Sequence, residues 1–344
     1  MDVLVYGASG TLGGLVLRHL RGRGLRLWLG GRNSEELARL AQPDEGVWGE
    51  DWSGLKVVVN CTPLTQEVIQ RCLEHSVHYV DACGDQAQIH HLLDRFDAGA
   101  RRAGICIVPA VGVDYSLGDC LSSLACPCEE LTIAYSFSEG AAGNSMDFAT
   151  AAPRGTEVVY RQGAWRPVPF EKDGAYFTFP EPFGRQQVAR YGCGEVVMVP
   201  RHSQVTTIRS WINAASLAPH PWLLPLFPWL RPLVSRLLQT RFRLLLGWVR
   251  KHLAGPRQQV SSAPAGGPSF AVVVEARGFG PGRKLWARGE DCHQATAAIL
   301  ALAAEWLARG RSAPGGGALT TAQAFACQEF LQALQPEIHW QWQR

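Results

Sequence analysis

Near the start of the chain the apolar run Val3-Leu4-Val5-Tyr6 breaks into Gly7-Ala8-Ser9-Gly10-Thr11-Leu12-Gly13, and Leu15, Val16, Leu17 and Leu20 follow at helical spacing. A strand, a glycine turn and a helix start in that order separate a dinucleotide-binding loop from a chance glycine cluster. Glycines let the backbone turn tightly and come close to a pyrophosphate. The free N–H groups and dipole of the following helix then attract its charge. Gly7, Ser9, Gly10, Thr11, Leu12 and Gly13 are therefore expected to bind a cofactor.

The second apolar run, Leu25-Arg26-Leu27-Trp28-Leu29, ends in Gly30-Gly31-Arg32-Asn33. An NAD-preferring site would place an Asp or Glu there for the ribose hydroxyls. A guanidinium instead forks onto a 2′-phosphate, which a carboxylate would repel. NADP is the expected cofactor, with Arg32 and Asn33 beside it; the competing reading makes Arg32 a solvated residue that opens the next helix.

Strand and helix patterns alternate through the first third. Lys56 to Cys61 reads as a buried parallel strand, Gln66 to His75 as a helix, and Val77 to Asp81 as a strand. Ile89 to Ala103 is a helix ending at Gly104, and Ile105 to Pro109 is again a strand. This alternation predicts an α/β Rossmann domain with a doubly wound parallel sheet. Ligands of such sheets bind beyond the carboxyl ends of the strands. That rule gathers the glycine loop, Arg32, Asn60 to Pro63, Asp81 to Asp85 and Ala110 to Asp114 around one crevice. Asp51, Asn60, Cys61, Thr62, Pro63, Asp81, Gly84 and Gly112 complete the expected cofactor-binding set.

From Leu131 the pattern changes to short strand-like runs between Gly- and Pro-rich turns: Leu131 to Phe137, Tyr176 to Phe179, Val196 to Val199, Val205 to Ile208 and Phe270 to Ala276. They predict a second, mixed α+β substrate domain. Asp291-Cys292-His293-Gln294 caps an Ala-rich helix running to Arg309, with Ala295, Ala298, Ile299, Leu302, Ala303 and Trp306 on one face. After Gly315-Gly316-Gly317, Thr320 or Thr321 caps a last helix to about Leu334. The expected division is 1–119, 120–290 and 291–344, the last packing back on the first.

A chain of 344 residues with 47% hydrophobic and 18% charged residues suits a globular protein of two domains. No charged leader with an apolar core precedes the first strand, so no signal peptide is expected. Ten cysteines show no paired zinc spacing; only Cys126-Pro127-Cys128 is close-set. They read as reduced thiols of a cytoplasmic protein without a metal.

Between Glu195 and Glu275 the chain has nine basic residues and no acid, leaving 24 basic against 30 acidic residues elsewhere. Such asymmetry points to an anionic partner or surface for that segment, and no nucleic acid is expected. Leu233 to Leu253 within it forms an amphipathic helix with a wide apolar face opposed by Arg236, Arg243 and Arg250. Prolines before it and arginines within it exclude a simple transmembrane span. Three readings stay open for 233–253: a core or homodimer-packing helix, a peripheral membrane-surface helix, or a lid over a long apolar substrate channel.

Taken together, the glycine loop, Gly30-Gly31-Arg32-Asn33, Asn60-Cys61-Thr62-Pro63, Tyr79-Val80-Asp81-Ala82-Cys83-Gly84-Asp85 and Pro109-Ala110-Val111-Gly112-Val113-Asp114 resemble the successive signatures of saccharopine dehydrogenase-like reductases. The branch containing trans-acting enoyl reductases is the most similar. The resemblance covers Met1 to about Asp119, weakens through the middle and returns at Gly289 to Ala308 and Gly315 to Thr321. It implies an NADP-dependent Rossmann domain, a mixed second domain and hydride transfer to a C=C or C=N bond. The family's Gly-Phe-Asp-Ser-x-Pro-Ser-Asp reads here Gly112-Val113-Asp114-Tyr115-Ser116-Leu117-Gly118-Asp119, without the proline, and its Gly/Thr-rich segment appears as Gly140-Ala141-Ala142-Gly143-Asn144-Ser145.

Short-chain dehydrogenases need a Lys four residues after a Tyr to lower the phenol pKa. None of Lys56, Lys172, Lys251 and Lys284 is so placed, and neither a P-loop nor a Gly-x-Ser-x-Gly elbow occurs. Hydride delivery needs the acceptor held near the nicotinamide and a group that protonates the far atom. Tyr115 and Asp114 are the expected catalytic residues, with Asn144 and Ser145 as hydrogen-bonding partners of substrate or cofactor; Asp81 and Asp85 stand on the same rim. His75 and His78 are expected in structural roles. The sequence thus predicts an NADPH-dependent reductase of an apolar or carrier-protein-linked enoyl substrate. Its alternatives are an imine or amino-acid-type oxidoreductase acting on C=N, and a non-catalytic, lipid-associated NADP-binding scaffold.

Overall fold

Val3 to Val5 and Val57 to Val59 are almost wholly buried, because their strands are covered on both faces. A parallel sheet demands such continuous apolar runs, since its crossover helices lie on both sides. In the computed structural model, which describes residues 1–82, 86–138, 156–169, 175–216 and 269–343, the chain divides into two compact units. The first holds Met1–Leu124, Val197–Ser203 and Cys292–Trp340; the second holds Ala125–Val196, Gln204–Asp291 and Gln341–Arg344.

The first unit runs β1 (Asp2–Tyr6), α1 (Thr11–Leu20), β2 (Arg26–Gly30), α2 (Ser34–Leu40), β3 (Gly46–Val47), β4 (Leu55–Asn60), α3 (Thr65–His75), β5 (His78–Asp81), α4 (Gln86–Ala103), β6 (Cys106–Val108) and α5 (Ser116–Ala125). Its strands lie in the order β6-β5-β4-β1-β2-β3, all parallel, and Gly317–Ala318 adds a seventh strand beside β6. This is the doubly wound order of dinucleotide-binding sheets, with the winding reversed between β1 and β4.

Helix α6 (Cys292–Ala308) packs on α1, β4 and β5. The sequence predicts one apolar face for it, yet Ala295, Ala297 to Ala304 and Trp306 to Ala308 are all buried. Alanines let neighbours approach from every side, and a helix apolar all round is a core helix. The expected last helix to Leu334 is instead two short ones, Thr321–Ala324 and Cys327–Ala333. Thr320 and Gln323 cap the first reciprocally. The break falls at Phe325, whose ring stacks on Phe330 (5.0 Å) and meets Trp306 edge-on; that aromatic packing outweighs helix continuity.

Val196 to Val199, expected as a strand, is helical. Glu195–Met198 is a helical turn continued by a tighter one over Val199–Arg201. Every residue of the run is buried, so periodicity carries no signal there, and Pro200 cannot donate to a ladder. The segment is held to the first unit by His202 Nε2 on Asp119 Oδ1 (2.7 Å) and Arg201 on Asp94 (2.5 Å).

The second unit is a mixed sheet of β7 (Cys128–Phe137), β8 (Thr156–Arg161), β9 (Ala164–Pro169), β10 (Ala175–Thr178), β11 (Arg185–Arg190), β12 (Val205–Asn213), β13 (Phe270–Gly278) and β14 (Gly280–Gly289). The order is β10-β11-β12-β7-β13-β14, with β8 beside β12 and β9 beside β8. β7 and β12 are parallel and the pairs around them antiparallel. One face buries Leu131, Ile133 and Tyr135. The other buries Ala134, Ala271 and Val273 against Phe179 and Val188.

The amphipathic segment 233–253, Asn144, Ser145, Gly84 and Asp85 lie outside the described residues. Among the described residues no helix is long and apolar enough to cross a membrane. Trp306→Ala opens a cavity within the Phe325–Phe330 stack and is expected to destabilise the protein by about 3–5 kcal/mol, measured as a lowered urea midpoint.

Candidate functional site

The loop between β1 and α1 is shaped by absent side chains. Gly7 has φ +90°, and a Cβ on it would lie 2.8 Å from Thr62 Cγ2, in the loop after β4. A Cβ on Gly13 would fall 2.2 Å from the Gly7 carbonyl oxygen, so the first turn of α1 can sit on the loop only as glycine. Gly7 and Ala8 donate to the Gly30 carbonyl at 2.8 and 3.1 Å, and Gly10 donates to Gly7 at 3.0 Å, which locks the turn. Gly10 is the N-cap and supplies no capping side chain; the first turn holds no acid. Its N–H groups and the positive end of the dipole therefore face the crevice, where β1 and β4 diverge. Ser9 and Thr11 are exposed at its mouth, and Leu12 is half-buried. These residues fit the diphosphate of a dinucleotide.

At the end of β2, Arg32 is exposed, and among the described residues nothing pairs with it. Asn33, expected at the cofactor, spends its side chain as N-cap of α2, accepting from Glu36 N at 3.2 Å. Asp51 is exposed; its carboxylate accepts from the Ser53 hydroxyl and N–H, which hold it below the usual range.

Behind the mouth lies a buried polar chain. Asn60 Oδ1 accepts from Thr62 N (3.0 Å) and Oγ1 (2.8 Å), and its Nδ2 donates to the Tyr79 hydroxyl (3.0 Å). Tyr79 donates in turn to Asp81 Oδ2 (2.6 Å), and Asp81 Oδ1 accepts from Ala110 N (3.1 Å). Burial, and then the Asp81 charge, push the Tyr79 phenol well above its usual pKa. Asn60 and Asp81 thus shape the site from behind: their polar atoms tie the carboxyl ends of β4, β5 and β6 together. Tyr79 was not anticipated, because a tyrosine in an apolar strand run reads as core. Burial and Asp81 push the Cys61 thiol up to about 12, which keeps it protonated at neutral pH; Pro63 is exposed nearby.

The loop after β6 is pinned by hydrogen bonds. Ala110 has φ +61°, held by Asp81. Gly112 donates to Ser116 Oγ (3.2 Å), which contacts Thr321 Oγ1 at 2.8 Å. A Cβ on Gly112 would press Thr296 of α6 at 3.2 Å, so this glycine serves close packing and its N–H is engaged. Asp119, which ends the motif that begins at Gly112, accepts from Ala322 N at 2.8 Å as well as meeting His202.

Within this frame the two expected catalytic residues differ. Tyr115 is 3% exposed. Asp114 is half-buried, and among the described residues no hydrogen bond or ion pair engages its carboxylate. Burial alone raises that carboxyl to about 6. His75 stacks on Trp52 at 5.1 Å, and His78 Nδ1 accepts from Cys106 N at 2.9 Å.

Because the folded pKa of Asp114 lies above its value in an unfolded chain, the folded state keeps a proton between about pH 4 and 6 that the unfolded chain has released. Stability contributed by this group is present below about pH 4 and is lost as pH rises through about 6. Asp114→Asn removes the loss, so urea melts from about pH 4 to 8 are expected to show the variant gaining on wild type by on the order of 2–3 kcal/mol, levelling above about pH 7.

No family model and no curated protein matches the sequence. Among solved structures the chain is similar to apo saccharopine dehydrogenase (L-Glu forming) from Saccharomyces cerevisiae, with TM-score 0.62 and 12% identity over all of both chains. Weaker likenesses, both at TM-score 0.48, are to the C. glutamicum DAP dehydrogenase (12% identity, 98% of this chain and 96% of that one) and an engineered D-amino acid dehydrogenase bound to NADP+ (13%, 98% and 96%). At 12% identity the first speaks to architecture: a Rossmann-type parallel sheet joined to a mixed sheet, the fold of saccharopine dehydrogenase.

Proposed function

We propose that the protein is an NADP-dependent oxidoreductase acting at a carbon–nitrogen bond, reducing an imine or oxidising the corresponding amine. The observation that carries this reading is one rim bearing both a glycine cradle open to a diphosphate and a carboxyl, Asp114, that has no partner among the described residues and that burial raises to about 6. When bound, the nicotinamide supplies or accepts the hydride. The chain's own groups do the rest. Gly7 to Gly13 seat the diphosphate, and Arg32 takes the 2′-phosphate by a charge-assisted fork. Asp114, on the loop after β6, is two strands from the β1/β4 divergence. A carboxyl near pH 6 is matched to giving a proton to an imine nitrogen and taking it back. Tyr115, next in sequence but buried, is the second proton donor to test.

The fold of a saccharopine dehydrogenase favours C=N over the enoyl C=C reading.

NADPH oxidation is to be followed with a panel of cyclic imines, 2-oxo acids with amines, and enoyl thioesters. Turnover on the imine arm, reduced at least a hundredfold in Asp114→Asn with NADPH affinity intact, is the expected result; turnover on enoyl thioesters alone overturns it. Tight NADPH binding with no turnover returns the non-catalytic scaffold. Arg32→Glu is expected to weaken NADPH binding by about 10–100-fold while leaving NADH within a few-fold, the worth of one or two hydrogen bonds to a charged group. Fluorescence titration of the two nucleotides measures it.

A further inference from the structure

The second unit carries a concentration of positive charge that the dinucleotide reading does not use. A cleft of about 450 Å³ opens on one face of the mixed sheet, lined by Glu130, Arg161, Gln162, Arg166, Thr207 and Arg209. Strand register explains the convergence. Val159 pairs with Arg166 across the β8–β9 hairpin, and Arg161, two residues on from Val159, falls on the same face. Tyr160 of β8 pairs with Ile208 of β12, so Thr207 and Arg209, which flank Ile208, share the face of Arg161. Thr207 pairs with Glu130 of β7.

The charges within the cleft are unequal in their commitments. Arg209 and Glu130 neutralise each other through two parallel contacts, at 2.9 and 3.1 Å. Arg161 and Arg166 have no partner among the described residues. Two guanidiniums placed diagonally on one sheet face repel each other. The hairpin holds them there all the same, through a tight turn in which Gln162 and Gly163 both have positive φ and Gly163 N bonds Thr206 O at 3.0 Å. A planar fork of donors is the geometry that receives carboxylate or phosphate oxygens, and a cleft of this volume is the size of a small-molecule site.

We propose that this cleft binds a small oxyanion bearing two negative charges, gripped by Arg161 and Arg166, with Thr207 and the Gln162 amide as further donors. Glu130 is committed to Arg209, which leaves the anion to the hairpin side of the cleft. The chemistry admits a phosphate monoester or a dicarboxylate. The inference stands apart from the cofactor crevice and does not depend on the reaction proposed above.

The test is calorimetric titration of the full chain at constant ionic strength in chloride, with inorganic phosphate in one arm and glutarate in the other. Saturable one-site binding is expected in at least one arm, and the arm that binds identifies the source as phosphate or carboxylate. Arg161→Ala with Arg166→Ala is expected to weaken it at least tenfold, with the thermal midpoint unchanged within a few degrees. Should the alanine pair fail to fold, Arg161→Lys with Arg166→Lys keeps the charge, loses the fork and is expected to weaken binding at least threefold. Binding in neither arm, or wild-type affinity in a folded double variant, overturns the proposal.

Discussion

A parallel sheet covered on both faces leaves its polar chemistry nowhere to go except the strand ends, and in the first unit three of those ends meet through one phenol. The Tyr79 hydroxyl takes a hydrogen bond from Asn60 at the end of β4 and gives one to Asp81 at the end of β5. Asp81 then fixes Ala110, beyond β6, in a left-handed conformation that an alanine adopts only under constraint. Buried hydrogen bonds to a charged group are worth about 1.5–3 kcal/mol each and cost as much when broken. These hydrogen bonds therefore span the mouth of the sheet as one continuous bar. The loop carrying Asp114, the Ser116–Thr321 contact and the Asp119–His202 pair are all built out from its far end.

That bar accounts for the contrast between two carboxylates on one rim. Asp81 is surrounded by donors, and its charge is used internally. Asp114 is desolvated and, among the described residues, receives no donor, so its proton affinity rises. Environments of this kind separate two like groups, one carboxylate committed to internal donors and the other with its proton affinity raised by burial. The glycine loop is the complementary case: the missing Cβ atoms of Gly7 and Gly13 make room for the chain itself, and that closeness aims the bare N–H groups of α1 at the crevice.

Much of this was legible in the sequence. The run from Val3 to Gly13 gave strand, turn and helix in the right places, because glycine at a positive φ and helical periodicity are local properties. The alternating strands from β4 to β6 gave the parallel sheet for the same reason. Where burial is complete the local signal disappears: Val196 to Val199 is as apolar as a strand but forms a helical turn, and α6 shows no single apolar face because it is enclosed on every side.

The sequence by itself determined the glycine cradle, the Arg32 position after β2 and the order of the crevice segments, all of which follow from neighbours within a few residues. Only the tertiary structure decided what each polar group is free to do. It alone shows that Asn33 is spent on a helix cap and Asn60 and Asp81 on Tyr79, that Asp114 has no partner among the described residues, and that Arg161 and Arg166 converge across a hairpin. A side chain's identity is local, but its hydrogen-bond partners and its desolvation come from residues far along the chain, as Asp119 and His202 show.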